Sequence, residues 1–361
     1  MDTKSDILIL TTSFGMGHNS VAKAISEQLI KENPDMKVST IDLLDVSNPN
    51  SKDLFFNVYK LLTRTHPNIY NHFYKIKKDV ENNYIDEIMY NMYLKKVAKF
   101  IIDSEAKLII STFPLCSGFV SRAKEKYKLN VPLITSITDV VDSWEWIHNN
   151  TDMYFVPCKV VEKKLIEKGI PNNKNKITGI PVKEEFLNSN KKIKEYKQVL
   201  IMGGAMDKIG LSVDVLKALD GISNLKTVVI TGNNKVLYER LNKAGKLNNV
   251  EVLGYTSEIA RLMDDSDVLV TKAGGATLFE AINKGIPMVL KNSNVGQEDE
   301  NIQFIREKGL GILLEDGECL EDALVRSLND DVKMKQIKDN LEELRLEIQP
   351  EKVGQYVLEL L

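Results

Sequence analysis

Short, continuous apolar runs alternate along this chain with longer stretches whose apolar positions recur every three or four residues. Ile7–Thr11 is the first run. A glycine turn follows it, then a helical pattern from Gly17 to Asn33, then a second run at Lys37–Asp42. Strand, helix and strand in such close succession make a βαβ unit and predict a parallel sheet. Two long helical segments are predicted at Ser51–Lys77 and Tyr84–Asp103, and strands at Lys107–Ser111, Val131–Ile137 and Met153–Val156. Runs this short and this uniformly apolar fit strands buried on both faces. The second half repeats the pattern, with strands predicted at Gln198–Met202, Lys226–Thr231, Val250–Leu253, Asp267–Val270, Pro287–Leu290 and Gly311–Leu314.

Gly203-Gly204 follows the first strand of the second half as Gly15 follows the first strand of the chain. The expected fold class is therefore α/β, with two Rossmann-like domains facing across a cleft. A length of 361 residues suits two domains. The boundaries expected are 1–182, a linker at 183–197, and 198–345. Ile180-Pro181-Val182 breaks regular structure there, and NSNKKIKEYK is polar and lysine-rich. Residues 346–361, interrupted by Pro350, are expected to end in a helix that packs back towards the N-terminal domain.

Composition narrows the partners. Lys plus Arg number 48 against 51 Asp plus Glu, a net charge of −3, which argues against a nucleic-acid-coating protein. No apolar run approaches the roughly 20 residues that a membrane-spanning helix needs. The N-terminus lacks a basic stretch and a small-residue cleavage site, so it reads as a strand and not as a signal peptide. Cys116, Cys158 and Cys319 show neither zinc spacing nor a disulfide framework, which suits a reducing cytoplasm.

Three clusters carry candidate chemistry, each after a predicted strand, where open α/β sheets bind ligands. The first is Phe14-Gly15-Met16-Gly17-His18. A dinucleotide fingerprint would need a third glycine at Ser20, although Asp42 stands where a ribose-binding acid would be. No Gly-Lys-Ser/Thr occurs, so a P-loop is excluded. What remains is a turn opening a helix, with His18 either a proton acceptor or a simple cap. The second cluster is Thr271-Lys272-Ala273-Gly274-Gly275-Ala276-Thr277-Leu278-Phe279-Glu280. Gly274 and Gly275 let backbone N–H groups approach a ligand, and with the helix N-terminus they suit a diphosphate. Thr277 adds a hydroxyl, and Glu280 one turn later can accept from vicinal ribose hydroxyls. The third is Gly296-Gln297-Glu298-Asp299-Glu300-Asn301, whose amides and carboxylates suit sugar hydroxyls. Its acids are consecutive and no histidine is near, so it does not read as a metal site.

Taken in order, these clusters resemble the monogalactosyldiacylglycerol synthase and processive diacylglycerol glucosyltransferase family, relatives of the peptidoglycan N-acetylglucosaminyl transferase. The resemblance spans ILILTTSFGMGHNSVAKAI, STFP at 111–114, Thr138-Asp139, ITGIPV at 177–182, IMGG at 201–204, VTKAGGATLFEA and GQEDEN. It implies a glycosyltransferase B-type fold with an acceptor-binding N-terminal domain and a nucleotide-sugar-binding C-terminal domain. It implies an inverting enzyme that moves a hexose from a UDP-sugar to diacylglycerol or a glycosyldiacylglycerol. His18 and Asp139 would be catalytic. Gly17, Gly203, Gly204, Gly274, Gly275, Thr277, Glu280, Gln297, Glu298 and Asn301 would bind the donor. No obligatory metal or other cofactor is implied, since dipoles and side chains would clamp the diphosphate. Three positions depart from the family pattern: Ser143 replaces a histidine, and Ala205 and Ala273 replace a glycine and a proline.

The stretch Ser51–Lys128 has 14 Lys plus Arg against 8 Asp plus Glu, and ten of the 25 aromatic residues lie between Leu54 and Phe100. Basic and aromatic residues together suit an anionic membrane surface. Phe55, Phe56, Tyr59 and Trp146 are the expected membrane or acceptor contacts, although aromatics at helical spacing, such as Tyr70, Phe73 and Tyr74, equally suit a core. The expected location is cytoplasmic, peripheral on the inner face of the cell membrane. Other readings keep the fold: a polyprenyl-linked or soluble acceptor, a UDP-sugar 2-epimerase, or a non-catalytic binding protein.

Overall fold

A computed structural model describes residues 4–13, 16–47, 78, 84–191, 194–203, 209–291, 296–314 and 317–361. Phe55, Phe56, Tyr59 and Gly204 lie outside the described residues. The chain forms two compact units. One holds residues up to Glu184, the short stretch Asn294–Gln297 and again Glu347–Leu361; the other holds Glu185–Ser293 and Glu298–Leu346.

The first unit runs β1 (Ile7–Thr11), α1 (Met16–Glu32), β2 (Val38–Asp42), α2 (Leu43–Ser47), α3 (Tyr84–Ser104), β3 (Leu108–Ser111), α4 (Pro114–Tyr127), β4 (Leu133–Ser136), β5 (Met153–Val156), α5 (Lys159–Glu167) and β6 (Asn175–Ile177). Its parallel sheet has the order β2-β1-β3-β4-β5-β6. The winding direction reverses between β1 and β3, which opens a crevice at their carboxyl ends. Strands β1, β3, β4 and β5 are buried at every position, including the Thr and Ser residues that end β1, β3 and β4, as expected of strands covered on both faces. β6 escapes the sequence pattern because it is three residues long and begins Asn-Lys.

Helix α3 buries Tyr90, Leu94, Val97, Ala98 and Ile101, with Tyr93 and Phe100 partly buried against the same core. Its spacing of buried positions is that of one helical face. Three of the aromatics counted towards a membrane surface are thus core residues. Tyr90 stacks edge-on against Phe119 of α4 at 4.9 Å and lies 4.2 Å beneath Arg122. Gly118 makes this possible, since a Cβ there would overlap the Tyr90 hydroxyl. Gly118→Ala is therefore expected to destabilise the first unit by about 1–3 kcal/mol, the usual cost of overpacking. Urea denaturation checks it, and an unchanged midpoint refutes it.

Helix α6 (Glu184–Leu187) begins the stretch expected as a polar linker, yet its Phe186 is buried. The second unit continues with β7 (Lys197–Met202), α7 (Val213–Asp220), β8 (Leu225–Ile230), α8 (Lys235–Asn242), β9 (Val250–Leu253), α9 (Ile259–Asp264) and β10 (Val268–Thr271). Next come α10 (Gly275–Lys284), β11 (Met288–Leu290), α11 (Gly296–Lys308), β12 (Gly311–Leu313), α12 (Leu320–Asn329) and α13 (Asp331–Glu347). Its sheet order, β12-β11-β10-β7-β8-β9, is that of a dinucleotide-binding half doubled, with the reversal between β7 and β10.

The chain then returns to the first unit. Pro350–Lys352 forms a 3-10 turn and α14 (Val353–Leu358) packs on α1, burying Val353 and Val357 completely. Gln28 donates to the Pro350 carbonyl at 3.0 Å, and the Gln349 amide donates to Ile177 at 3.0 Å. Gly354 keeps the helices close, because a Cβ would stand 2.8 Å from Glu32 Cγ and 3.4 Å from the Gln28 carbonyl.

Candidate active site

In the first unit the carboxyl ends of β1, β3 and β4 converge on His18. The histidine is half-buried in the first turn of α1, one residue after Gly17. Its Nδ1 lies 3.1 Å from the Thr112 carbonyl and 2.9 Å from Thr138 Oγ1. A carbonyl oxygen can only accept, so the Thr112 contact is a hydrogen bond in the tautomer with the hydrogen on Nδ1, which puts the basic lone pair on Nε2. Phe113 meets the ring edge-on at 4.9 Å, which limits its rotation. Thr112 Oγ1 in turn donates to Thr11 Oγ1 at 2.9 Å and to the His18 carbonyl at 3.3 Å. This network joins β1, the residue after β3 and the loop after β4.

Asp139 follows Thr138 and is half-buried. It is Thr138 of that pair that reaches the imidazole. Thr112 and Thr138 are visible in the sequence only as parts of the STFP and Thr138-Asp139 motifs, each just past the end of a predicted strand.

Asp42 has a different role from a ribose acceptor. Its Oδ2 accepts from the Ser13 amide at 3.0 Å and hydroxyl at 2.5 Å, and its Oδ1 accepts from the Leu44 amide at 2.9 Å. The carboxylate thus ties the turn after β1 to the start of α2. Ser143, where the family pattern has a histidine, is fully buried and caps the 3-10 turn Trp144–Trp146 by accepting from the Glu145 amide at 3.4 Å. Its neighbour Asp142 is committed to Lys168, Lys164 and Lys78 at 3.3, 3.6 and 3.7 Å. Burial works to raise its pKa, but the three ammonium groups outweigh it and hold the carboxyl below its ordinary range. Trp146 is 2% exposed, so it has no face to offer a bilayer, which corrects its assignment as a membrane contact.

In the second unit the switch point between β7 and β10 brings Gly203 beside the turn after Thr271. Gly203 is buried at the end of β7, and Thr271 Oγ1 donates to the Met202 carbonyl at 3.2 Å. Helix α10 starts at Gly275 with Gly274 as its N-cap. Along α10 Leu278, Phe279, Ala281 and Ile282 are buried, while Thr277 and Glu280, three residues apart, share the half-exposed face. No side chain caps this helix start, so its first-turn N–H groups lie beside the face that carries Thr277 and Glu280.

The third cluster opens α11. Gln297 is half-buried in its first turn, and Glu298 is nearly buried. Asn301 is wholly buried and donates through Nδ2 to the Ala273 carbonyl at 2.9 Å. This corrects its expected contact with donor sugar: it braces the glycine turn from behind. Lys272, not singled out by its chemistry in the sequence, places Nζ 2.9 Å from Glu298 Oε1.

Residues 18–182 match the family described as monogalactosyldiacylglycerol (MGDG) synthase, and residues 198–350 match the glycosyltransferase family 28 C-terminal domain. The processive diacylglycerol beta-glucosyltransferase of Bacillus pumilus is 30% identical over 96% of this chain and 92% of its own length. Among solved structures, Acinetobacter baumannii MurG superposes with a TM-score of 0.60 at 14% identity, over 98% of both chains. Anabaena HepE in complex with UDP and glucose gives 0.55 at 16%, again over 98% of both. These two establish the glycosyltransferase fold. With a full-length relative at that identity and both domain matches in order, the chain belongs to the family of monogalactosyldiacylglycerol synthases and processive diacylglycerol glucosyltransferases.

Proposed function

We propose that this enzyme transfers a hexose from a UDP-sugar to diacylglycerol or a glycosyldiacylglycerol, with inversion at the anomeric carbon. The observation that carries the reading is the anchored His18 of the first unit, its Nδ1 against the Thr112 carbonyl, in a chain of this family; the second unit separately has an open-ended α10 helix. In this reading Nε2 of His18 takes the proton of the acceptor hydroxyl as that oxygen attacks the anomeric carbon. Asp139, beside Thr138, lends negative charge near the developing imidazolium. The departing UDP, where charge accumulates, meets the N–H groups of Gly274 and Gly275 and the α10 dipole. Thr277 adds a hydroxyl donor, Glu280 holds the ribose, and Gln297 and Glu298 face the sugar. The diphosphate is thereby neutralised by protein groups, without requiring a metal. Incubation with a panel of UDP-hexoses and diacylglycerol vesicles should yield a glycosyldiacylglycerol by mass spectrometry. UDP release without any lipid product would instead favour the epimerase.

The acceptor is a membrane lipid in this reading, so the protein works at a bilayer surface. No described helix is long and apolar enough to cross one. Helix α3 supports a surface contact. Its outer face carries Ile88, Met92 and Ile102, which are 60%, 63% and 52% exposed, in line with exposed Lys95 and Lys99. Apolar side chains flanked by lysines match an anionic interface, each lysine contributing about 1 kcal/mol. Replacing Ile88 and Met92 together with glutamate is expected to cut co-sedimentation with anionic vesicles several-fold at low salt. Undiminished binding would assign the contact elsewhere.

A further inference from the structure

We infer that Lys272 is a positioning residue for the donor sugar, acting through Glu298. The inference rests on the donor reading of α10 and α11 above. Gly274 is the first clue. Its φ of −85° and ψ of 128° are open to any residue, so the backbone does not require glycine there. A Cβ there would stand 3.1 Å from Lys272 Nζ and 3.6 Å from its Cε, so the end of the lysine side chain lies directly against this residue. The lysine folds back over its own turn, helped by the Gly274 amide donating to the Lys272 carbonyl at 2.9 Å.

Electrostatics make this placement informative. A helix N-terminus repels cations, so an ammonium lying against the start of α10 is unfavourable by itself. Glu298 offsets it, with Oε1 2.9 Å from Nζ. The carboxylate is only 11% exposed and sits in the first turn of another helix, α11, where an acid is favoured. Two helix starts, one lysine and one carboxylate therefore form a single charged unit. Asn301 locks it from beneath by holding the Ala273 carbonyl.

In this unit Lys272 fixes one carboxylate oxygen, which directs the other towards the hydroxyls of the sugar. A carboxylate oxygen accepts, which suits the O–H donors of a sugar. Its contribution should show on the sugar and not on the nucleotide.

The test is a comparison of affinities for UDP and for the UDP-hexose the native enzyme binds best, by calorimetry. Lys272→Met is expected to weaken UDP-hexose about tenfold or more while UDP changes less than about threefold. Glu298→Gln should do the same, and the double variant should be no worse than either single one, because the two act as a pair. Lys272→Arg, which retains the charge, should recover part of the loss. Equal losses for UDP and UDP-hexose would mean that Lys272 serves the diphosphate, and would overturn the inference. So would an unchanged affinity ratio accompanied only by a lower melting temperature, the mark of a structural role. If the native enzyme bound neither ligand, the donor reading itself would fall, and the inference with it.

Discussion

Replacing His18 with alanine is expected to lower the rate of transfer by about 10²–10⁴-fold, the usual contribution of a positioned general base. UDP affinity should stay within about twofold of the native value, because the groups proposed above to hold the UDP, at Gly274, Gly275, Thr277 and Glu280, stand at or on α10, whereas His18 stands on α1. The size of the effect follows from how much of the first unit is arranged around this ring. Its Nδ1 is held by the Thr112 carbonyl and the Thr138 hydroxyl, which leaves Nε2 as the base. Phe113 restrains the ring plane. Alanine removes the base and leaves those groups around a void. Thr138→Val, which deletes the hydroxyl partner of Nδ1, should give an intermediate loss. Single-turnover measurements with diacylglycerol separate this from a binding defect. Turnover retained in His18→Ala would remove the histidine from the mechanism.

Lys284→Met is expected to give the largest loss of stability, about 3–5 kcal/mol, by breaking a buried ion pair from one side. The Lys284 side chain is 1% exposed and that of Asp264 9%, with Nζ and Oδ2 2.8 Å apart. The ammonium also donates to the Asn188 carbonyl at 2.6 Å. Asp264 Oδ1 accepts from the Asn190 amide at 3.0 Å and the Ser189 hydroxyl at 3.4 Å. The pair therefore fastens the segment leading into β7 to the ends of α9 and α10. Methionine matches the lysine stem but leaves the carboxylate without its buried cation. A double variant that also replaces Asp264 with asparagine should recover much of the loss, since no charge is then stranded. Urea unfolding provides the measurement, and a shift below about 1 kcal/mol would show the pair to be incidental.

The parallel sheets were legible because their strands are short apolar runs between helical patterns. All six strands of the second unit fall within or beside the expected positions, and β6 of the first was lost to its polar, three-residue sequence. The turn at Gly274-Gly275 was legible for a physical reason too: a glycine pair straight after an apolar run marks the start of a helix. Side-chain partnerships were less so. Lys284 reads as an ordinary basic residue at a helix C-terminus, and only tertiary packing shows it buried. Asn301 looked like a polyol ligand and is a brace for the Ala273 carbonyl. Trp146 and Tyr90 looked like interfacial aromatics and are core, because aromatic residues interleaved with lysine serve both uses and sequence alone does not say which side faces out.

The return of residues 347–361 to the first unit bears on the order in which the chain is built. During synthesis the second unit can close as soon as Leu346 has emerged. The earlier half must meanwhile wait with one flank of α1 uncovered, since Val353, Gly354 and Val357 are made later. The half that begins first is thus completed last. A nascent chain stalled before this segment would carry a finished second unit and a first unit still lacking α14.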